Sequence, residues 1–186
     1  MNIKGVHFKS MLSAVKILFG EEGFKKAVSG LTEEDKKIVN TERMASVRLL
    51  PLDSVVRFME IVIRDLAAGD ERIALKMGKI VGDLELNSIY RVFITTIGNP
   101  EFIVKKTPMI FEALHDSGKL TFEKSEENNF LMTVTGFSKN QRVYEFGMMG
   151  WIKYYFELSG VKSVKAEIIK SIGAGEKEAQ YKFSWD

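Results

Sequence analysis

Apolar residues recur with a helical period through the first part of the chain. A first helix is predicted at about Val6–Phe19, and one stripe of it carries Phe8, Met11, Leu12, Val15, Leu18 and Phe19. Gly20 interrupts this pattern before a short helix predicted at Glu21–Val28. Pro51 suits the first turn of a further predicted helix, which runs to Ala68. The pattern predicts that this part of the molecule consists of amphipathic helices with one buried face each.

The helical pattern continues beyond a break at residues 69–70. A long helix is predicted for Glu71–Ile97, and Gly98-Asn99-Pro100 is expected to end it, because the residue before a proline disfavours helix. Pro108 is then expected to open a helix at Met109–Ser117. Between the helices, Asn40–Leu50 has no clear period, which indicates an extended connection.

The last third of the chain follows a strand-like alternation. Leu120–Lys124 and Phe130–Phe137 are predicted to form a hairpin, and Ser163–Ser171 and Ala179–Trp185 two further strands. A helix at about Lys139–Ser159 separates the two pairs. We therefore predict an α+β fold, with a helical N-terminal half packed on a four-stranded, mainly antiparallel sheet. We expect one domain over residues 1–186, helical to about 117 and sheet-containing from about 118.

Composition excludes several kinds of chemistry. The 186 residues contain no cysteine, which rules out disulfides, Cys-bound metals and thiol nucleophiles. The net charge is only +2, and no basic block is present, so we expect no nucleic-acid partner. Lysines interrupt the N-terminus, and the longest uncharged run is far shorter than the ~20 residues of a membrane span. We expect a cytoplasmic protein without a transmembrane segment.

Candidate chemistry is sparse. The chain has two histidines, His7 and His115, and His115 stands near the end of a predicted helix. It could be a haem ligand or a general base, or a helix C-terminal histidine that the helix dipole favours. Adjacent carboxylates such as Glu21-Glu22 diverge in space, and no nucleophile–base pair or nucleotide-binding loop is present. We expect no enzymatic activity and no bound metal.

Two predicted helices contain paired glycines. Gly78 and Gly82 share one helix, and Gly147 and Gly150 share another, although a mid-helix glycine costs about 1 kcal/mol. Something must approach each backbone closely: another helix, a ligand or a dimer partner. The second helix is also apolar nearly all round, so it needs cover on two sides. The sheet can cover one side, and helices, a second subunit or an apolar ligand can cover the other.

Several local strings resemble a known superfamily of bacterial sensor domains. Lys4-Gly5-Val6, Phe19-Gly20-Glu21-Glu22-Gly23 and Leu31-Thr32-Glu33-Glu34-Asp35 resemble the opening of haem-NO-binding (H-NOX)-like domains. Tyr90-Arg91-Val92-Phe93 and Glu178-Ala179-Gln180-Tyr181-Lys182-Phe183-Ser184-Trp185 are similar to its 4-vinyl-reductase branch. The resemblance implies the ligand-binding fold shared by nitric-oxide sensors and TRAPP vesicle-tethering subunits. It also implies an apolar pocket, dimerisation and a place as the input module of signalling proteins, including chemoreceptors.

Two features of those families are missing from this sequence. Haem-binding H-NOX domains carry a Tyr-x-Ser-x-Arg motif that holds the haem propionates, and the corresponding strand here, Leu131–Lys139, does not contain it. The 4-vinyl-reductase branch often has cysteines near its C-terminal strands, where this chain has Gly175, Glu176 and Gln180. We therefore expect no cofactor, with haem as the alternative.

The predicted function is a sensory input domain without enzymatic activity. We expect it to bind a small apolar ligand and to signal as a homodimer to a downstream domain or protein, as in chemotaxis. Aromatic and methionine side chains suit an adaptable apolar cavity. The candidate ligand-binding residues are Phe58, Met59, Tyr90, Phe93, Met109, Phe111, His115, Phe146, Met149 and Tyr154.

Two alternatives remain open. One is a haem-based gas sensor for NO or O₂ that uses His115. The other is a structural dimerisation or scaffold module that binds no ligand and whose aromatic residues only fill the core. The chain ends directly after a predicted strand, which fits a domain of a longer signalling protein, although a complete small protein is also consistent with it.

Overall fold

The computed structural model describes residues 1–39, 49–86, 99–138 and 141–186. Their helices are α1 (Gly5–Ser29), α2 (Glu33–Val39), α3 (Leu52–Leu66), α4 (Ile73–Glu85), α5 (Pro100–Leu114) and α6 (Arg142–Leu158). Their strands are β1 (Asn2–Lys4), β2 (Leu49–Pro51), β3 (Lys119–Glu126), β4 (Asn129–Thr135), β5 (Lys165–Lys170) and β6 (Ala179–Ser184). The predicted α+β fold is confirmed.

The predicted four-stranded sheet is present and fully antiparallel. Its strand order is β3-β4-β6-β5, so the hairpin strand β4 pairs with the C-terminal strand β6. Tyr181 and Phe183 alternate along β6 and are fully buried, as their spacing predicts. A second, two-stranded sheet pairs β1 with β2. The sequence did not predict it, because three-residue strands are too short to show a period.

A predicted break in the first helix is also confirmed. Gly20 interrupts α1 with a φ of +70°, a conformation that favours glycine over any residue with a side chain. The segment before it packs into the core, and the segment after it lies mostly at the surface.

The prediction for the region around the two prolines was wrong. Pro100 begins α5 instead of only ending the helix before it, and Pro108 lies inside that helix. The carboxamide oxygen of Asn99 accepts a hydrogen bond from the Glu101 amide at 2.8 Å, which caps the helix N-terminus. A proline at the first helical position loses no hydrogen bond, so it can start a helix as well as end one. Of the predicted helix Glu71–Ile97, the structure contains α4, which ends at Glu85 because Leu86 adopts an extended conformation. Residues 87–97 of the prediction lie outside the described residues.

The apolar helix α6 lies between the sheet and α4. On the sheet side, the ring of Phe156 packs against Phe130 and Phe183. On the other side, a Cβ on Gly78 would overlap the carbonyl oxygen of Gly147, so the two backbones are in direct contact. Helix α4 is therefore the second cover that α6 needs, and the close approach at this glycine pair is between helices.

Candidate ligand-binding site

His115 is held at the end of α5 by the N-terminal strand. It is the first residue after the helix and forms a β-bridge with Ile3. The neighbouring Asp116 accepts two hydrogen bonds from Asn2, each 2.7 Å long, from the backbone amide and the side-chain amide. These contacts turn the imidazole inward, where His115 is 8% exposed.

The hydrogen bonds of His115 define which nitrogen carries its proton. Nδ1 lies 2.9 Å from the carbonyl oxygen of Phe111, which can only accept, so Nδ1 is the donor. Nε2 lies 2.8 Å from the Tyr144 hydroxyl. Burial lowers the pKa of His115 to about 4, so the ring is neutral and Nε2 accepts the Tyr144 proton. The helix dipole therefore does not hold a cationic histidine here.

The chain of hydrogen bonds continues from Tyr144 to His7 and Glu85. Burial raises the pKa of Tyr144 well above its usual value, so the hydroxyl keeps its proton and donates it to His115. Its oxygen lies 3.4 Å from Nε2 of His7, and Nδ1 of His7 lies 2.7 Å from Oε1 of Glu85. The side chains of His7 and Glu85 are 6% and 10% exposed. Four polar side chains, from α1, α4, α6 and the residue that follows α5, thus form one connected row inside the protein.

The space beside this row is almost completely filled. Phe111 stacks on the His115 ring at a centroid distance of 4.1 Å, and Phe137 meets it edge-on at 6.3 Å. The cavity that remains has a volume of about 10 Å³, room for about one water molecule. It is lined by His7, Met11, Gly78, Val81, Phe111, Leu114, His115, Tyr144, Gly147, Met148 and Trp151.

A much larger cleft lies at the Glu85 end of the row. Its volume is about 620 Å³, within the range of small-molecule binding sites. It runs between the start of α1, the end of α4 and the length of α5. Its lining residues are Lys4, Val6, Ser10, Leu84, Glu85, Leu86, Phe102, Ile103, Lys106, Thr107, Met109, Ile110, Ala113, Leu114 and Tyr155.

Exposed apolar side chains are concentrated at this cleft. Val6, Leu84 and Met109 are 42%, 45% and 59% exposed, and all three line it. In the described part of the chain, the other large apolar side chains with comparable exposure are Ile17, Leu49 and Ile169, which lie elsewhere. Scattered apolar residues on a surface are ordinary, but a group of them around one concave space indicates a binding site.

Two residues connect the cleft with the buried row. Glu85 lines the cleft and bonds to His7, which lines the small cavity. Leu114 lines both spaces. A ligand in the cleft would therefore lie against one end of the hydrogen-bonded row, and His115 stands at the other end.

The residues that the sequence singled out do not gather in one place. Tyr90 and Phe93 lie outside the described residues. Met109 lines the cleft, and Phe111 and His115 line the small cavity. The other candidates line neither of these spaces; they are Phe58, Met59, Phe146, Met149 and Tyr154.

Most of these other candidates have packing or polar partners elsewhere. Phe58 is fully buried and meets the ring of Phe8 edge-on. The Met59 methyl group lies next to Gly147, where α3 approaches α6. The Tyr154 hydroxyl donates a hydrogen bond to Asp83 of α4.

Sequence analysis missed His7, Glu85 and Tyr144 as a unit. His7 and Glu85 are 78 positions apart, and no local pattern connects them. Among cleft residues it also missed Lys4 of β1 and Val6 and Ser10 of α1. Val6 gave one usable signal, because it is an apolar residue that stands outside the inward stripe of its helix.

Two further features are absent from the described residues. No group of three or more His, Asp or Glu side chains in these segments could hold a metal ion. No described helix is long and apolar enough to cross a membrane.

Comparison with known proteins identifies the fold. The sequence matches no protein-family profile and no curated protein. Among solved structures, it is similar to the Fe(II) unliganded H-NOX protein from K. algicida, with a TM-score of 0.70 and 16% identity over 99% of this chain and 97% of that one. An H-NOX protein from S. oneidensis in the Fe(II)NO ligation state gives a TM-score of 0.71 at 10% identity, over 99% of each chain.

A third similar structure concerns the function of haem distortion in the H-NOX family. Its TM-score is 0.55 and its identity 14%, over 99% of this chain and 95% of that one. The predicted H-NOX-like fold is thus confirmed. Identities this low establish the fold alone.

The residues around His115 fit a haem in chemistry but not in space. A neutral histidine whose Nδ1 donates to a backbone carbonyl is the usual state of a metal-binding imidazole. However, Tyr144 occupies the position facing Nε2, and the cavity of about 10 Å³ beside it has no room for a macrocycle. The larger cleft has room, but His115 does not line it. As packed here, these residues do not accommodate a His115-ligated haem.

Proposed function

We propose that this chain is a sensory domain that binds a small apolar ligand in the cleft between α1, α4 and α5. Binding, without catalysis, is the function in this proposal. Residues 1–117 and 118–186 act in it as one domain, with the helical part supplying the cleft.

The observation that carries the proposal is the grouping of exposed apolar side chains around a cleft of about 620 Å³. No protein group in the described segments covers the side chains of Val6, Leu84 and Met109, so they are exposed to water. Transfer of such a surface from water to an apolar ligand is favourable by about 25 cal/mol for each Å² buried. The H-NOX fold of the chain supports a sensory role.

A cleft-filling substitution tests the proposal directly. Ala113 is exposed and lines the cleft, so Ala113→Trp would place an indole where the ligand is expected. Glu112→Trp adds the same side chain at an exposed position that does not line the cleft. Titration with Nile red, a neutral apolar dye, should show binding to the wild type and to Glu112→Trp, and at least about tenfold weaker binding to Ala113→Trp.

The result that would contradict the proposal is equal dye binding by all three proteins. Extraction and mass spectrometry of the purified wild type would then decide whether any ligand accompanies the protein. No co-purified molecule, together with no cleft-dependent dye binding, would favour the scaffold module that binds no ligand.

Signal output is the second part of the proposal. We expect the domain to act as a homodimer and to pass its ligand state to a downstream signalling domain or protein, as chemoreceptors do. The connection of Glu85 with His7 supports a path from the cleft into the core. Light scattering after size-exclusion chromatography measures the oligomeric state, and a monomer at micromolar concentration would contradict the dimer.

Haem-based gas sensing through His115 is the second candidate function. The neutral histidine with an accepting Nε2 and the H-NOX fold both favour it. It requires Tyr144 to move away from His115. After incubation with haem, it predicts a Soret band that His115→Ala abolishes and that Tyr144→Ala strengthens by making space. No band in the wild type or in Tyr144→Ala, or one unchanged in His115→Ala, would reject it.

A further inference from the structure

The charged side chains that line the cleft include more cations than anions. In the described part of the chain, the charged lining residues are Lys4, Lys106 and Glu85. Glu85 faces a histidine, whereas neither lysine forms an ion pair among the described residues. The Glu85 carboxylate could offset the charge of one lysine. Whether it does depends on the charge of the Glu85–His7 pair as a whole, and so on the number of protons between the two side chains.

The hydrogen bonds of the row determine how many protons lie between His7 and Glu85. Because Tyr144 donates its only proton to His115, its oxygen accepts from Nε2–H of His7. The contact of 2.7 Å between Nδ1 of His7 and Oε1 of Glu85 must then contain one more proton. With that proton on either partner, the pair has no net charge, so Glu85 does not compensate the lysines.

The neutral polar groups of the lining contribute little. The Ser10 hydroxyl donates to the carbonyl oxygen of Val6, and the Thr107 hydroxyl donates to that of Ile103. Both protons are used within their own helices, so neither hydroxyl donates to a ligand. The ammonium group of Lys106 lies 5.9 Å from the centroid of Phe102, another lining residue, which keeps this positive charge at the cleft.

We propose that the cleft selects an amphipathic carboxylate, whose apolar body lies against α5 and whose anionic head pairs with Lys4 and Lys106. This inference rests on the proposed function, because it names the chemical class of the ligand for the same site. An anion beside two uncompensated cations and an apolar wall gains charge-assisted hydrogen bonds that a neutral molecule of equal length cannot form.

Two probes of similar length distinguish the contribution of the anionic head group to binding from that of the apolar body. Decanoate and decanol have the same number of carbon atoms, and decanoate is ionised at neutral pH. Isothermal titration calorimetry on the full chain should show decanoate binding at least about tenfold more tightly than decanol. In the double variant Lys4→Gln/Lys106→Gln, decanol binding should be kept and the preference for decanoate lost.

A charge-matched control excludes a general effect of net charge. Lys9 and Lys105 are exposed and do not line the cleft, so Lys9→Gln/Lys105→Gln removes the same two charges elsewhere. This variant should keep the full preference. A preference that survives in Lys4→Gln/Lys106→Gln, or that disappears equally in the control, would overturn the inference.

The outcomes also distinguish this inference from the proposed function. Equal binding of decanol and decanoate by the wild type would overturn the carboxylate preference and leave an apolar binding site. If neither probe binds and Nile red is insensitive to Ala113→Trp, the inference and the proposed function both fail.

Discussion

Gly78 of α4 and Gly147 of α6 touch through their backbones, and any side chain on Gly78 would overlap the Gly147 carbonyl group. The contact brings the aromatic helix α6 under α4, from which Glu85 reaches His7. Helix packing and the polar row therefore depend on the same close approach.

Replacing Gly78 by alanine should destabilise the protein. Alanine favours helix by about 1 kcal/mol over glycine, but overpacking at a backbone contact costs typically 1–3 kcal/mol and sometimes more. Because the overlap is with backbone, we expect a net loss of about 1–2 kcal/mol or more in the free energy of unfolding, measured by urea titration. Lys76→Ala, at an exposed position of the same helix, should change it by less than about 0.5 kcal/mol. An unchanged stability of Gly78→Ala would show that the helices are not in contact here.

The pair Asp35–Arg57 should stabilise the contact between α2 and α3. Arg57 donates to both carboxylate oxygens at 2.8 Å, and the Asp35 side chain is fully buried. Asp35→Asn should cost about 2 kcal/mol at neutral pH. Asp65→Asn is the control, since Arg64 forms the same bidentate contact with it at the surface, where such pairs contribute little.

The contribution of Asp35 should depend on pH with a defined sign. Hydrogen bonds from Arg57 hold the pKa of Asp35 below its ordinary value of 3.8. The stabilisation is therefore complete above that value and is lost as the pH falls below it. The difference between the wild type and Asp35→Asn should narrow toward about pH 2 in urea titrations. A constant difference would mean that the charge of Asp35 does not stabilise the fold.

His115 should lower the free energy of unfolding as the pH falls, in a higher pH range than Asp35 does. The unfolded chain takes up a proton near pH 6.5, but the folded protein does so only near pH 4, because burial lowers the pKa of His115. Full stability is present above pH 6.5 and is lost progressively toward pH 4, by about 3 kcal/mol in total. The loss should be absent in His115→Gln, which keeps His7. Parallel pH profiles of the two proteins would contradict a buried neutral His115.

The Tyr144 hydroxyl should be coupled energetically to His115. Tyr144→Phe leaves Nε2 of both histidines without its partner in a buried place, so we expect a loss of about 2 kcal/mol. A double-mutant cycle with His115→Gln should give an interaction energy of about 1 kcal/mol or more, whereas a cycle with the distant Asp65→Asn should be additive. Additivity in both cycles would show that the hydrogen bond of 2.8 Å contributes nothing.

Much of the fold was predictable from local sequence. The alternation of Tyr181 and Phe183, the break at Gly20 and the amphipathic stripes each reflect a period or a backbone conformation that a few residues encode. Pro100 was misinterpreted because the same residue suits a helix start and a helix end. Only the Asn99 cap and the packing of α5 distinguish the two.

The sequence by itself determined most of the helices, the four strands of the larger sheet, and that one helix needs cover on two sides. Tertiary structure decided what provides that cover, since the contact of Gly78 with Gly147 joins residues 69 positions apart. It also decided the site. His7 meets Glu85 across 78 positions, and Val6, Leu84 and Met109 come together from three helices. Periodicity acts over a few residues, whereas a cleft and a hydrogen-bonded row exist only once distant segments have packed.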